Sequence, residues 1–340
     1  MEFKNPKYIP CRIVISWPLW NTYREKLERI VMRYPLIFRG FKVGSIHYDE
    51  KIGVLGSNEE RIDVFGCKWH FPLKGLQGVV VKHPLSDWNN LKNFKLLDPE
   101  DGVPTESRGL IPWNKIYDNL EKSYKSGSPV IASMPHSFFF QRLYYLRGYT
   151  NLLKDFIKKP PRIYQLVEML TEYNLELIKR MLKFKHLDMI AFGDDLGNQY
   201  RMPISPKTFR VFIYPAYKKI FTFIRSHGIH VYLHSDGHVM EIVDQLIDTG
   251  LSVLNIHDLV NGIKNIAESC MGKICIDIDI DRQRIVPYGN PSQIKKHIKN
   301  IVETLARKDG GLMMTAGLYS PTPLENIKAL IEAINENMWL

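Results

Sequence analysis

The chain has 340 residues, with 46 Lys and Arg against 36 Asp and Glu, a net charge of +10 and only 4 Cys. At 45% hydrophobic and 24% charged residues it reads as a folded globule, which excludes a disordered chain, and so few cysteines exclude a disulfide scaffold. No apolar run reaches the ~20 residues of a membrane span, and MEFKNPKYIP has no apolar signal-peptide core, so a soluble, cytoplasmic protein without membrane contact is expected.

Up to about residue 125 the chain shows short strand-like pieces among turn or breaker residues: Trp17-Pro18, Gly40, Gly44, Gly53 (outside the residues described below), Gly66, Pro84, Pro99, Gly102 and Pro104. Beyond it the pattern becomes regular. Apolar strand-like runs occur at 130–134, 189–192, 230–233, 252–254, 274–278 and 312–315. Amphipathic helical stretches lie between them. In 163–182, Ile163, Leu166, Val167, Leu170, Leu177, Ile178 and Met181 form one stripe. A second stretch, 240–248, stops at Gly250, and a third covers 294–305. Strand and helix repeated at this length predict a parallel α/β architecture. The expectation is a (β/α)8 TIM barrel in one structural domain. Residues 1–125 would supply an irregular N-terminal cap and early barrel elements, and 126–340 the main part.

Chemistry-bearing residues follow the strands. Met134 precedes Pro135 and His136; Phe192 precedes Gly193, Asp194 and Asp195; Leu233 precedes His234, Ser235 and Asp236. Leu254 precedes Asn255 and His257, and Ile278 precedes Asp279, Asp281 and Arg282. The C-terminal strand ends of a barrel all face one mouth. Five such ends carrying His or Asp therefore predict one polar site, although Asp, Asn and Ser at these positions also serve as helix N-caps. Lysines such as Lys154, Lys158, Lys159, Lys183, Lys185, Lys295 and Lys296 are scattered over predicted helix ends and outer faces. They read as a solvated surface with no nucleic-acid motif, and their excess points at most to an anionic ligand or partner. Cys11, Cys67, Cys270 and Cys275 form no CxxC pair and read as small buried thiols.

At these residues the sequence resembles the uroporphyrinogen decarboxylase superfamily. Asp194-Asp195-Leu196-Gly197-Asn198-Gln199 with Ile204-Ser205-Pro206 and Pro215, then His234-Ser235-Asp236-Gly237 with Gly250-Leu251, match two of its blocks. Asp281-Arg282-Gln283 with Pro287, Gly289 and Pro291, and Pro323-Leu324-Glu325-Asn326-Ile327, match two more. The resemblance runs over about residues 60–338 and rests on block order and spacing. The superfamily holds tetrapyrrole decarboxylases and corrinoid-dependent methyltransferases. The decarboxylases carry an Arg-rich N-terminal loop that MEFKNPKYIPCRIVISWPLW lacks. Asp63-Val64-Phe65-Gly66-Cys67-Lys68-Trp69 and His83-Pro84-Leu85-Ser86-Asp87-Trp88 resemble a region of methyltransferases tied to anaerobic methyl-ether demethylation.

The resemblance thus implies a methyltransferase that moves a methyl group from a small methylated compound to a Co(I) corrinoid (cobalamin) on a partner protein. The candidate catalytic residues are His234, Asp236, Asp195 and His257. Asp194, Tyr200, Arg201, His136, Asp279 and Tyr319 are candidates for substrate binding, and Phe138 and Phe139 could wall the donor or pack in the core. Thiol-directed relatives bind zinc through His-x-Cys and a later Cys. Here Asp236 stands at the Cys position, and Thr315-Ala316-Gly317-Leu318 has no Cys. His234 and Asp236 remain candidate ligands for a harder zinc site, but the missing cysteines favour acid–base chemistry, with His234 protonating the leaving oxygen.

Overall fold

The computed structural model describes residues 1–48, 58–72, 78–105 and 109–340. The chain divides into two compact units, Met1–Ile52 with Val253–Leu340, and Gly53–Ser252.

In the unit Gly53–Ser252 a small antiparallel sheet is formed by three strands, here β2 (Glu59–Ile62), β3 (Lys68–Phe71) and β4 (Val79–Lys82), β1 being the N-terminal strand described below. A two-stranded ribbon, β5 (Val103–Pro104) and β6 (Leu110–Ile111), follows. The main sheet of this unit is parallel: β7 (Ile131–His136), β8 (Met189–Gly193) and β9 (His230–Ser235), in that order. Parallel strands need long crossovers, and helices supply them. Pro161–Met181 starts with Pro at its first turn, where the missing N–H costs nothing, and buries Ile163, Leu166, Leu170, Leu177, Ile178 and Met181 along the predicted stripe. The Phe138-Phe139-Phe140 run packs inward. Phe138 is 3% exposed and Phe139 0%. The Phe138 ring centroid lies 4.7 Å from Phe192 and 5.1 Å from Tyr217. These rings are core, not the wall of a substrate pocket.

The unit Met1–Ile52 with Val253–Leu340 holds parallel strands β10 (Val253–His257), β11 (Cys275–Asp279) and β12 (Leu312–Leu318), with β1 (Cys11–Ile15) paired parallel to β12. Every residue of β10 and β11 is buried, as expected of a parallel strand covered on both faces. Helix Pro291–Leu305 opens with a capping box. Asn290 Oδ1 accepts from Gln293 N at 3.0 Å and Asn290 N donates to Gln293 Oε1 at 2.9 Å. The Trp17-Pro18 pair, read from sequence as a breaker, instead starts helix Trp17–Val31, because Pro fits a helix's first turn. The stretch 240–248 is a 3-10 turn, Met240–Ile242, running into helix Val243–Asp248. Among the described residues no helix is long and apolar enough to cross a membrane. Cys67, Cys270 and Cys275 are buried free thiols, and Cys11 is half-buried.

Candidate active site

The site in the unit Gly53–Ser252 begins with an irregularity. Between Ser133 and His136 the register of β7 against β8 shifts by one residue, so His136 comes opposite Gly193. The bulge re-aims the histidine, a common device beside functional sites. Gly193 makes room for the ring: a Cβ there would stand 2.4 Å from His136 Cδ2. Next to it, Ser137 adopts φ 62° and its N–H donates to Gly193 O at 2.7 Å.

His136 Nε2 lies 3.4 Å from Asp195 Oδ1, just past the end of β8. From β9, His234 Nε2 lies 3.2 Å from Asp236 Oδ1 and 3.9 Å from Asp195 Oδ1. The two imidazole centroids are 5.6 Å apart. Asp195 therefore sits between two histidines, and Asp236 flanks one of them. Its backbone N–H also donates to Asp195 Oδ1 at 3.1 Å.

Asp195 is fixed from behind by Gln141. The amide Nε2 donates to Asp195 Oδ2 at 3.0 Å, and Asp195 N donates to Gln141 Oε1 at 2.9 Å. Burial pushes the Asp195 carboxyl up, but the hydrogen bond and charge of His136, with the Asp236 N–H, outweigh it and hold the group below its usual range. The sequence gives no local signal for Gln141, which lies 54 residues from its partner.

Asp194 does something else. It is 0% exposed. Its oxygens accept from Phe140 N at 2.6 Å, Gln141 N at 2.9 Å and Tyr217 Oη at 2.7 Å. It thus satisfies free N–H groups at the start of helix Phe140–Arg147. The substrate-binding role read for Asp194 is corrected: a carboxylate with no exposed surface and three internal donors packs the helix that carries Gln141. Burial raises it to about 6, against the pull of those three donors.

The loops after β8 and β9 cross at two glycines. A Cβ on Gly197 would meet His238 O at 2.4 Å, and one on Gly237, at φ +83°, would meet Gly197 C at 2.2 Å. Ser235 Oγ accepts from Leu196 N at 3.0 Å, and His238 N donates to Asn198 O at 2.8 Å. Asn198 Oδ1 takes the N–H groups of Tyr200 and Arg201 at 2.9 and 3.0 Å. Those two residues, read as substrate-binding, lie on the outside of the loop: Tyr200 is 86% exposed and Arg201 is exposed too.

The other unit gathers a second polar group. His257 at the end of β10 is in register with Asp279 at the end of β11. Arg282 bridges them, with Nη2 3.3 Å from His257 Nε2 and Nη1 donating to Asp279 Oδ2 at 3.4 Å. Its guanidinium carbon lies 5.9 Å from the centroid of the half-exposed Tyr319 ring. A guanidinium only donates, so His257 Nε2 accepts and has no proton to give. The proton-donor role read for His257 does not suit that nitrogen. Arg282 belongs to the Asp281-Arg282-Gln283 block, and nothing in that block alone signals that its side chain spans two strand ends. Nearby, the buried Asp258 Oδ2 lies 2.6 Å from His297 Nε2 and accepts Asp281 N at 3.1 Å.

His136, Asp195 and His234 each offer one ligand atom, and these lie within 4.8 Å of one another. Two imidazole nitrogens and a carboxylate oxygen suit zinc or a similar borderline cation. A thiolate-rich site does not fit, because the gathered donors are all N and O. Asp236, read as a ligand, stands 3.2 Å from His234, placed to orient or to join that set.

The blocks read before the strands serve packing. Asp63 Oδ1 accepts from Phe65 N and Cys67 N at 2.9 and 2.8 Å, and its Oδ2 from Trp69 Nε1 at 2.9 Å. His83 Nδ1 lies 2.8 Å from Tyr145 O.

Comparison with known proteins agrees with the sequence blocks. The chain is 20% identical over 320 residues to a uroporphyrinogen decarboxylase of Prochlorococcus marinus, covering 92% of this chain and 86% of that one. It is 30% identical over 197 residues to methylcobamide:CoM methyltransferase MtaA of Methanosarcina barkeri, covering 55% of this chain but only 52% of the relative. A solved structure of a methyltransferase from Methanosarcina mazei matches with a TM-score of 0.61 at 19% identity, over 97% of this chain and 94% of that one. That match establishes a shared fold, the α/β barrel type expected from the strand–helix alternation. The family model for uroporphyrinogen decarboxylase (URO-D) matches residues 62–337, and the chain belongs to that family.

Proposed function

We propose that the protein takes a methyl group from a small methylated compound, a methyl ether such as a methoxylated aromatic, and passes it to the Co(I) corrinoid of a partner protein. One observation carries this reading: two imidazoles and two carboxylates meet at the ends of three adjacent strands. The similarity to methylcobamide:CoM methyltransferase MtaA supports it. The corrinoid, on its carrier, supplies the nucleophile that accepts the methyl carbon.

The residues of this chain then have to manage the leaving oxygen. An alkoxide or phenolate leaves poorly unless it is protonated or bound to a Lewis acid. His234 is the proton donor. Asp236, 3.2 Å away, orients its ring, and Asp195 lies 3.9 Å from the same nitrogen. His136, on the other side of Asp195, completes the group. A zinc ion held by His136, Asp195 and His234 would supply Lewis acidity at the same place. Within the second unit Asp279, read as substrate-binding, is only 2% exposed and holds Arg282 beside the half-exposed Tyr319, so Arg282 and Tyr319 are the groups there that can meet a ligand. Tyr200 and Arg201, on the outer loop, suit contact with the rim of the substrate or its carrier. The all-N/O donor set favours an oxygen-bound methyl group over a thiol.

The test is direct. The protein is incubated with a reduced corrinoid protein and a panel of methylated compounds, and methyl–cobalt formation is followed by absorbance. Formation with an ether is expected. No methyl–cobalt from any compound, while the same corrinoid protein accepts a methyl group from another methyltransferase, would overturn the reading.

A further inference from the structure

A cleft with no part in the reaction above lies where the short helix Ile285–Tyr288 meets helix Pro291–Leu305. Its volume is about 520 Å³, and its lining includes Arg284, Ile285, Tyr288, Lys296, His297 and Asn300. That volume is the size of a small-molecule site. Its chemistry is uniform. Arg284 and Lys296 carry positive charge, and among the described residues neither has a carboxylate within ion-pair distance. The carboxylates of helix Pro291–Leu305 and its surroundings are engaged elsewhere: Glu303 with Lys299, and Glu332 and Glu336 with Lys295.

The floor of the cleft is held shut to cations as well. His297 is 8% exposed, and its Nε2 is tied to Asp258. Asp258 in turn is saturated, with Oδ2 shared by His297 and Asp281 N, and Oδ1 taken by Leu259 N at 2.5 Å. Asp281, behind Arg284, likewise spends its oxygens on the N–H groups of Gln283, Arg284 and Ile285, so among the described residues neither buried carboxylate forms an ion pair with the two cations. Beside them Tyr288 leaves 72% of its surface exposed, an aromatic face with Ile285 next to it. Lys296 and Asn300 are four residues apart on one helix, so they project from the same face.

We propose that this cleft binds a small organic anion with a planar apolar body, a carboxylate or phosphate joined to an aromatic ring. Arg284 takes the anionic group through its fork of N–H donors, and Lys296 adds a second charge from the neighbouring helix. Asn300 supplies a neutral hydrogen-bonding partner. Tyr288 and Ile285 cover the ring. The net charge of +10 draws such a ligand toward the protein at long range. The inference is independent of the methyl-transfer reading, because none of these residues enters it.

Binding of benzoate, phenyl phosphate and uncharged benzyl alcohol to the whole chain is measured by calorimetry and by ligand-observed NMR. One or both anions should bind with a Kd of ~1 mM or tighter, and benzyl alcohol at least about tenfold more weakly. Arg284→Ala with Lys296→Ala should weaken anion binding by about tenfold or more, and Tyr288→Ala by several-fold. All three side chains are exposed, so the melting temperature checks that these variants stay folded. His234→Ala should leave the binding unchanged, which separates the cleft from the strand-end histidines. The proposal is overturned if neither anion saturates up to ~10 mM. Benzyl alcohol binding equally well, or the double variant binding like the unaltered protein, overturns it as well.

Discussion

Asp194 and Asp195 are adjacent in sequence, yet their surroundings drive them apart. Burial raises Asp194 to about 6 from an ordinary value of 3.8, while His136 holds Asp195 below the usual range. For Asp194 the folded value exceeds the unfolded one, so the folded state binds the extra proton between about pH 4 and 6. Its contribution to stability is therefore greatest below the unfolded value and is lost as pH rises through about 6. A tenfold change in proton affinity is worth ~1.4 kcal/mol, which makes this contribution on the order of 3 kcal/mol. Unfolding measured from pH 4 to 7.5 should show that component in the unaltered protein and not in Asp194→Asn. Parallel curves for the two would sink the assignment. His234→Ala makes a separate claim. It should cut methyl transfer from an ether by about 10²–10⁴-fold, and barely touch transfer from a methylsulfonium or quaternary ammonium, which leaves without a proton. Equal rates for both donors in the variant and the unaltered protein would remove His234 from that role. At this scale the sequence exposed the residue types, since His and Asp after strands can be read directly. It could not separate Asp194 from Asp195: which one turns inward depends on Phe140 N, Gln141 N and Tyr217, all more than 20 positions away.

Between elements, the crossing of the β8 and β9 loops is the tightest constraint near the site. Gly237 is left-handed, and its α-carbon faces the Gly197 backbone so closely that even one methyl has no room. Gly237→Ala should destabilise the protein by about 2 kcal/mol or more. It should also lower activity by more than the fold loss alone explains, because Asp195 and Asp236 sit on the two loops being pushed apart. Denaturant unfolding alongside rate measurements at a temperature where the variant is fully folded checks both parts. The six expected strands all occur, with ends shifted by a few residues. Their apolar runs are legible because each is apolar enough to read as a strand: β10 and β11 are buried throughout, while β7 and β9 alternate in burial but keep mostly apolar residues over 130–134 and 230–233. β1 is not: Cys11–Ile15 alternates buried and exposed positions and sits among turn residues, and only its pairing with β12 makes it part of the sheet. The β7 bulge was equally hidden, since register is a property of two strands and one sequence run does not contain it.

At the level of the whole molecule, the excess of 10 positive charges is spread widely, and many lysines are already paired with glutamates on the surface. Such pairs add little stability, but the unbalanced remainder produces a long-range field. If the corrinoid carrier is acidic, as this field favours, raising salt from about 50 to 500 mM should increase its apparent KM several-fold while leaving kcat at saturating carrier unchanged. A KM indifferent to salt would mean that docking depends on shape and apolar contact instead.

The reciprocal pairing of Gln141 with Asp195 has a consequence for selectivity among ions. With the amide held on Oδ2, a cation gripped by both oxygens would have to compete with Gln141 for that oxygen, whereas a cation on Oδ1 leaves the pairing intact. Calcium, which gathers six to eight oxygens and often takes a carboxylate through both, is poorly served by such a donor set. Zinc, content with four ligands at short range, is well served. If the two histidines hold zinc as proposed, competition should follow donor type and coordination number: cobalt in excess exchanges into the site, and calcium in large excess does not. Gln141→Ala, by freeing the second oxygen, should narrow that gap.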